Sequence, residues 1–237
     1  MPLLGSAAML LSFDVAPEAI DEHDRWHTHE HLPERLSIPG FLRGTRWVAT
    51  AGTPRYMVVY EVQDLETLSS EAYLARLNDP TPWTQRVMPF YRGMSRGLCS
   101  VLGSFGCGQG GTAALIRFSP DDASAASLLR ALLEETLPAV PGSPGLGSAH
   151  LLRGARPAAM THEQRIRGAD RGLDSAIIVT GYDDGAVADW TQRLCAQGLP
   201  SMRGARDVTS AIYRTSYALA SAEVGAVAPA RSEPGRR

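Results

Sequence analysis

The chain contains no lysine; all 23 of its basic residues are arginine. Schiff-base catalysis, a phosphate-loop lysine and a kinase-type lysine are therefore excluded. Cysteine is scarce too. Cys99, Cys107 and Cys195 are odd in number and widely spaced, with no C-x-x-C pair. That pattern excludes a disulfide framework and a cysteine-rich zinc site, and Cys99 and Cys195 read as small core residues in apolar surroundings. There is no excess of charge of either sign, since the net charge is −2 and the pI about 6.3. This gives no electrostatic reason to expect nucleic acid or a membrane surface as partner. The apolar run AAMLL is too short to span a bilayer, and the expectation is a cytoplasmic protein. There is no paired-carboxylate motif. The glycine-rich GCGQGG is not followed by a helical pattern, which argues against a phosphate cradle.

What is present is an internal repeat. Shifted by 105 positions, LLSFDVAPEA faces LIRFSPDDAS and EHLPERLSIPGF faces ETLPAVPGSPGL without a gap. Beyond this the second copy carries about 15 extra residues within GARPAAMTHEQRIRGADRG. The match then resumes as MVVYEVQD against IIVTGYDD and as MPFYRG against LPSMRG. Each copy reads as the same string of elements. In the first copy, 7–14 is a buried strand, 17–31 a helix with proline in its first turn, 44–50 and 55–62 a hairpin, 64–77 a helix and 98–105 a fourth strand. In the second, strands fall at 112–118, 148–153, 175–182 and 209–218, with helices at 121–137 and 184–197.

This is βαββαβ twice, the ferredoxin-like unit. The fold class is α+β. Each unit leaves one apolar sheet face without helices, and two copies can bury those faces against each other. The predicted organisation is unit 1 over 1–105, a flexible joint at 106–111, and unit 2 over 112–220 with an insertion at 154–172. A disordered tail follows at 221–237. The insertion reads either as a lid or as a disordered loop.

The chemistry concentrates in EHDRWHTHEHLPERLSIPG, which holds four of the six histidines. On a helix, His23, His27 and His31 share a stripe with Ile20, while His29 points nearly opposite. The sister helix has Ala125, Leu128, Leu132 and Thr136 at those positions, a core-facing stripe with Leu129 and Leu133. The three histidines are thus expected to be buried, and buried imidazoles need partners or a ligand. Three readings stand side by side. The rings bond backbone or neighbours such as Asp24 and Glu30. The i,i+4 pairs grip a metal, though no H-E-x-x-H and no third ligand can be named. Or His31 acts as a base or donor at the mouth of a cleft. Pro33 is expected to end or kink the helix near His31, where a C-terminus favours the protonated ring.

The run W-H-x-x-E-H-L-P-E-R-L-x-I-P-G-F, Trp26 to Phe41, resembles the dimeric α+β barrel superfamily, in particular its EthD-like branch, named for ethyl tert-butyl ether degradation. The resemblance covers about 20 residues closely, and the second half has T-L-P where the first has H-L-P. It implies two fused ferredoxin-like units, a ligand cavity between the sheets and at most one full site per chain. Relatives of this kind include cofactor-free monooxygenases, isomerases, lyases and haem-handling enzymes.

The resulting expectation is a cofactor-free enzyme of isomerase, lyase or monooxygenase type acting on a small apolar or aromatic metabolite. His31 would be general acid/base with a near-neutral pKa, and His27, Trp47, Tyr56 and Tyr60 would line the pocket. No metal or nucleotide is expected. Haem with His150 or His162 as axial ligand is the alternative, and a non-catalytic binding or structural protein is a third reading. Partners are a small-molecule ligand only, with the chain a monomer or homodimer. Arg25 and Arg130 read as surface ion pairs.

Overall fold

A computed structural model describes residues 3–121, 123–155, 161–168, 170–202 and 204–224. Eight strands form one closed antiparallel barrel in the order β1-β3-β2-β8-β5-β7-β6-β4. They are β1 (Ala7–Val15), β2 (Phe41–Ala51), β3 (Tyr56–Val62), β4 (Tyr91–Gly106), β5 (Thr112–Pro120), β6 (Leu146–Gly154), β7 (Ser175–Gly181) and β8 (Ala205–Ala220). Read from β4, the ring is 4-1-3-2 followed by 8-5-7-6, the ferredoxin-like order twice over. Two seams, β2 against β8 and β4 against β6, close it, so no strand edge is left open. The halves therefore share one continuous hydrogen-bonded wall.

Strand alternation divides the side chains between two environments. The inward face carries Ala8, Leu10, Trp47, Met57, Val59, Cys99, Leu115, Leu152, Ile178 and Tyr213, which pack together as the barrel interior. The outward faces carry Met9, Phe13, Tyr56, Val58 and Tyr60 in unit 1, and Ile116, Phe118, Ile177 and Val179 in unit 2. Helices cover these outer faces. In unit 1 they are α1 (Ile20–Trp26), α2 (Leu32–Leu36), α3 (Glu71–Asn78) and α4 (Pro82–Val87). In unit 2 they are α5 (Ala125–Ala131), α7 (Asp184–Arg193) and α8 (Leu199–Met202), while α6 (His162–Arg167), although it lies in the second half of the chain, packs on unit 1 against α3.

The pairings correct one detail of the repeat. Leu10 faces Val59 and its counterpart Leu115 faces Ile178. Tyr60 is therefore matched by Val179 and Tyr56 by Ser175, one residue away from the letter-by-letter match of MVVYEVQD with IIVTGYDD. The difference matters because a one-residue slip sends every side chain to the opposite face.

The helix expected to stop at His31 does not stop there. It widens into a π-turn over His27–His31, closed by Leu32 N–H to His27 O, and runs on as α2 to Leu36. Leu137 bonds back to Leu132 and Leu199 to Leu194 in the same way. Each wide turn precedes a Leu-Pro pair: Leu32-Pro33, Leu137-Pro138 and Leu199-Pro200. Proline lacks an N–H, and its ring crowds the carbonyl four residues back. A π-turn lets that carbonyl tilt away without ending the helix.

The glycine-rich joint is not a slack connector. Gly110 N–H donates to Thr180 Oγ1 at 3.1 Å, Gly111 O accepts from Thr215 N–H at 2.9 Å, and Gln109 bonds Thr45 on β2. Its glycines serve close approach, since a Cβ on Gly110 would lie 2.0 Å from Gly181 O. Of the expected insertion, β6 extends to Gly154 and α6 is an ordered helix with a Thr161–Gln164 capping box. Residues 156–160 and 169 lie outside the described residues, as does the expected tail from 225. Ser221–Glu223 forms one further 3₁₀ turn. Among the described residues no helix is long and apolar enough to cross a membrane.

Gly110→Ala is expected to destabilise the chain by about 1–3 kcal/mol through overpacking against backbone. Gly111→Ala, with nothing within 4 Å of its Cβ position, should leave the melting temperature unchanged. Equal melting temperatures for both variants would refute the wedged joint.

Candidate functional site

The histidine stripe is buried as its sister residues require: His23, His27 and His31 are 0%, 1% and 6% exposed. His29 is exposed. The three rings form a column between α1/α2 and the outer face of the unit 1 sheet, with centroids 5.5 Å and 5.7 Å apart. The π-turn keeps His27 and His31 in line along the sheet. Trp26 lies against His31 at 4.3 Å, and Tyr56 against His23 at 4.6 Å. Tyr91, the first residue of β4, lies 5.5 Å from His23.

Polar partners are few. His23 Nδ1 bonds Asp24 Oδ1 at 3.0 Å, and the same oxygen accepts from Tyr56 OH at 2.9 Å. Arg46, on β2, donates to Asp24 O at 3.1 Å. Tyr60 OH lies 3.4 Å from His27 Nε2. Trp26 Nε1 donates to Glu30 and to Thr84 Oγ1. Among the described residues four buried side-chain polar atoms lack any partner, and three belong to this column: His23 Nε2, His27 Nδ1 and His31 Nδ1. Glu34 Oε2 approaches His31 Nδ1 only to 3.9 Å.

Burial sets the protonation states. Desolvation pushes the pKa of His27 and His31 well below 6.5, and Arg35 adds to it at both rings and Arg46 at His27. His23 is lowered less, because the bond to Asp24 opposes its burial. Burial by itself would raise Asp24, but His23 and Arg46 hold it below the ordinary carboxylate value. Burial raises Glu34, and lifts the Tyr56 phenol to about 12. The near-neutral, helix-end His31 expected from sequence is thus corrected: the helix continues past it, and the ring is neutral at pH 7.

The site's location is corrected as well. A helix stripe meets the outer face of its sheet, so the column lies outside the barrel and not in a hollow between the sheets. Tyr56 and Tyr60 share that outer face, as their spacing requires, and His27 joins them there. Trp47 does not; it pairs with Met57 across β2 and β3 and points into the barrel. No group of three His, Cys, Asp or Glu among the described residues has metal-holding geometry.

Two functional-looking residues escaped the sequence reading. Arg35, 1% exposed, forms an ion pair with Glu163 of α6, which is 2% exposed. Burial opposes the charge of Arg35, but Glu163 and Glu34 more than offset it and raise its pKa. Neither residue had a local signal, because Glu163 arrives from the insertion in unit 2. Helix α6 therefore covers the unit 1 site. A cleft of about 260 Å³ lies beside α6, lined in part by Arg96, Leu98, Gln164 and Asp170. Arg96 donates from it to Tyr73 OH at 3.2 Å, and Arg35 stands 5.8 Å over the Tyr73 ring. Arg25 and Arg130 make exposed ion pairs with Glu22 and Glu134.

The second unit is an internal control. Its corresponding layer holds Leu128, Leu132, Val140 and Val179 where unit 1 has His23, His27, Arg35 and Tyr60. At the His31 and Tyr56 positions it has the small polar Thr136 and Ser175, so the fold needs no imidazole, phenol or guanidinium there.

No protein-family model and no curated protein matches the sequence. Solved structures do match its fold. An anthrone oxidase-like protein aligns with a TM-score of 0.64 at 13% identity, covering 96% of this chain and 99% of its own. A provisionally assigned monooxygenase from Lactobacillus acidophilus aligns at 0.57 and 11% identity, covering 91% and 96%. A provisionally assigned chlorite dismutase aligns at 0.52 and 11% identity, covering 92% and 96%. The fold is the ferredoxin-like α+β barrel.

His27→Leu removes an unsatisfied buried nitrogen but strands Tyr60 OH, so His27→Leu with Tyr60→Phe, which removes both, should stabilise the chain by about 1 kcal/mol or more. The unfolded imidazole gains its proton near pH 6.5, the folded one only at lower pH. Its share of stability is therefore complete above pH 6.5 and lost progressively as pH falls from there to the lower pKa of the folded ring. Thermal melts from pH 8 to 5 should fall less steeply for His27→Leu than for the parent; parallel curves would contradict the buried neutral ring.

Proposed function

We propose that the chain is a cofactor-independent enzyme of the EthD-like kind, of isomerase, lyase or monooxygenase type, acting on a small aromatic metabolite in the helix–sheet layer of unit 1. One observation carries this reading. Three buried imidazole nitrogens lack partners in a layer whose duplicate carries Leu128, Leu132 and Thr136 at the same positions. Such nitrogens each cost about 1–3 kcal/mol, a cost that folding does not require and ligand chemistry explains.

His31 is the general base. A neutral ring has a free nitrogen ready to take a proton, and closure against water favours charge-dispersed products. His27, steadied by Tyr60 OH, hydrogen-bonds a substrate carbonyl as negative charge develops on it. Tyr56 and Asp24 fix the ring of His23. Trp26 and Tyr91 supply flat apolar walls, and the cleft beside α6 is the entrance. Trp47, inside the barrel, takes no part. One chain closes a whole barrel, so the working unit is a monomer or a homodimer in the cytoplasm, with no nucleic-acid or membrane partner.

An anthrone is the first probe, because a neighbour in fold is described as anthrone oxidase-like. Its ring C–H opposite the carbonyl is acidic, and removal of that proton gives an anion that dioxygen can oxidise. Anthrone and O₂ then yield anthraquinone and water, with no cofactor in the balance. Oxygen uptake above the uncatalysed rate is expected, and His31→Gln should lower kcat/KM about a hundredfold or more. Full activity in that variant would dismiss His31 as base.

Haem fits poorly. His150 is buried in the barrel, with its ring nitrogens on Ser104 and Ser148 at 2.9 Å and 3.2 Å. Burial lowers its pKa to about 4. His162 is exposed at the start of α6, with Nδ1 on Asn78 O. Mixing with hemin should give no histidine-ligated Soret band; a stoichiometric band lost in His150→Ala or His162→Ala would restore the haem reading.

A further inference from the structure

The six-residue helix α6 belongs by sequence to unit 2, yet Glu163 is buried in unit 1. Its carboxylate sits among the groups of the proposed site. It pairs with Arg35, and its charge is felt by Tyr60, Tyr91 and Glu34. Arg35 in turn bears on His31 and Tyr60. The duplicate layer has Val140 in place of Arg35, so this guanidinium is another polar group that the fold does not require.

We infer that Arg35 is the docking point for the carboxylate of an aromatic acid, and that Glu163 holds that place while the site is empty. The inference rests on the reading of the histidine layer as a ligand site and names its substrate class. A guanidinium matches a carboxylate in plane and charge, and does so most strongly when both are removed from water. The 1% exposure of Arg35 supplies that setting. The two partners are not equally dependent on each other. Glu163 lies 3.9 Å from Arg167, four residues on in the same helix, and Arg167 also pairs with Asp170. Withdrawn with α6, Glu163 keeps a cationic neighbour. Arg35, held by the wall of unit 1 over the Tyr73 ring, has Glu34 at 3.5 Å and then needs a second anion. A ligand carboxylate entering from the cleft beside α6 meets that need, and it places an attached ring against Trp26, His31 and Tyr60. Glu163 is thus a built-in competitor that sets the threshold for binding an acid.

The test uses the full chain with benzoate and benzamide as probes, read by thermal melting. In Glu163→Ala, benzoate should raise the melting temperature saturably, with an apparent affinity about tenfold or more better than in the parent. Benzamide should do neither. Adding Arg35→Met to that variant should abolish the benzoate response. Glu163→Gln, which preserves volume, serves the same comparison should the alanine variant fold poorly. Equal responses to acid and amide, a benzoate response that survives Arg35→Met, or no benzoate response in either Glu163 variant would overturn the assignment. The histidine reading fails separately: a benzoate response that needs Arg35 but is indifferent to His27→Leu leaves the anion point standing and removes the imidazoles from the site.

Discussion

Backbone hydrogen bonds along two seams, β2 with β8 and β4 with β6, turn two open four-stranded sheets into one ring. Each ferredoxin-like unit alone would expose two strand edges and an apolar sheet face. Closure pairs the edges and buries the faces as the barrel interior in a single step. It also assigns every helix to the outside. Everything that follows about the site, including its place between helix and sheet, descends from that closure.

Duplication then makes the molecule its own comparison. The same layer is built twice, once mainly from leucine, valine and isoleucine, with Thr136 and Ser175 as small polar residues, and once with a column of imidazoles, two phenols and a guanidinium. Because the aliphatic version suffices to hold helices on the sheet, the polar version is excess to folding. The recurring π-turn before Leu-Pro shows the reverse case: it appears three times, in His-bearing and apolar helices alike. That turn belongs to the chemistry of proline within a helix and not to the site.

The fusion has a second consequence. A segment present only in unit 2 reaches over unit 1 and places Glu163 on Arg35. In a pair of identical chains each site would receive the same cover. In one chain the two halves can specialise, one presenting ligand-binding groups and the other supplying the helix that closes over them.

Much of the architecture was legible in the letters. Matches at a spacing of 105 hold from Ala8/Ala113 through Gly40/Gly145, and the alternation of Tyr56 and Tyr60 puts both on one face. His23, His27 and His31 follow from helical spacing checked against Leu128, Leu132 and Thr136. Local composition determines these features because period and side-chain type are local. The register of β3 against its duplicate was misjudged by one residue, since small apolar residues match equally well at either offset and only the ladder decides. Which side of the sheet the histidines meet, the opposite placement of Trp47, the neutrality of His31 and the Arg35–Glu163 pair were decided by tertiary structure alone. Each depends on groups distant in sequence being brought together and sealed from water, and neither the pairing nor the desolvation leaves a mark on any short stretch of chain.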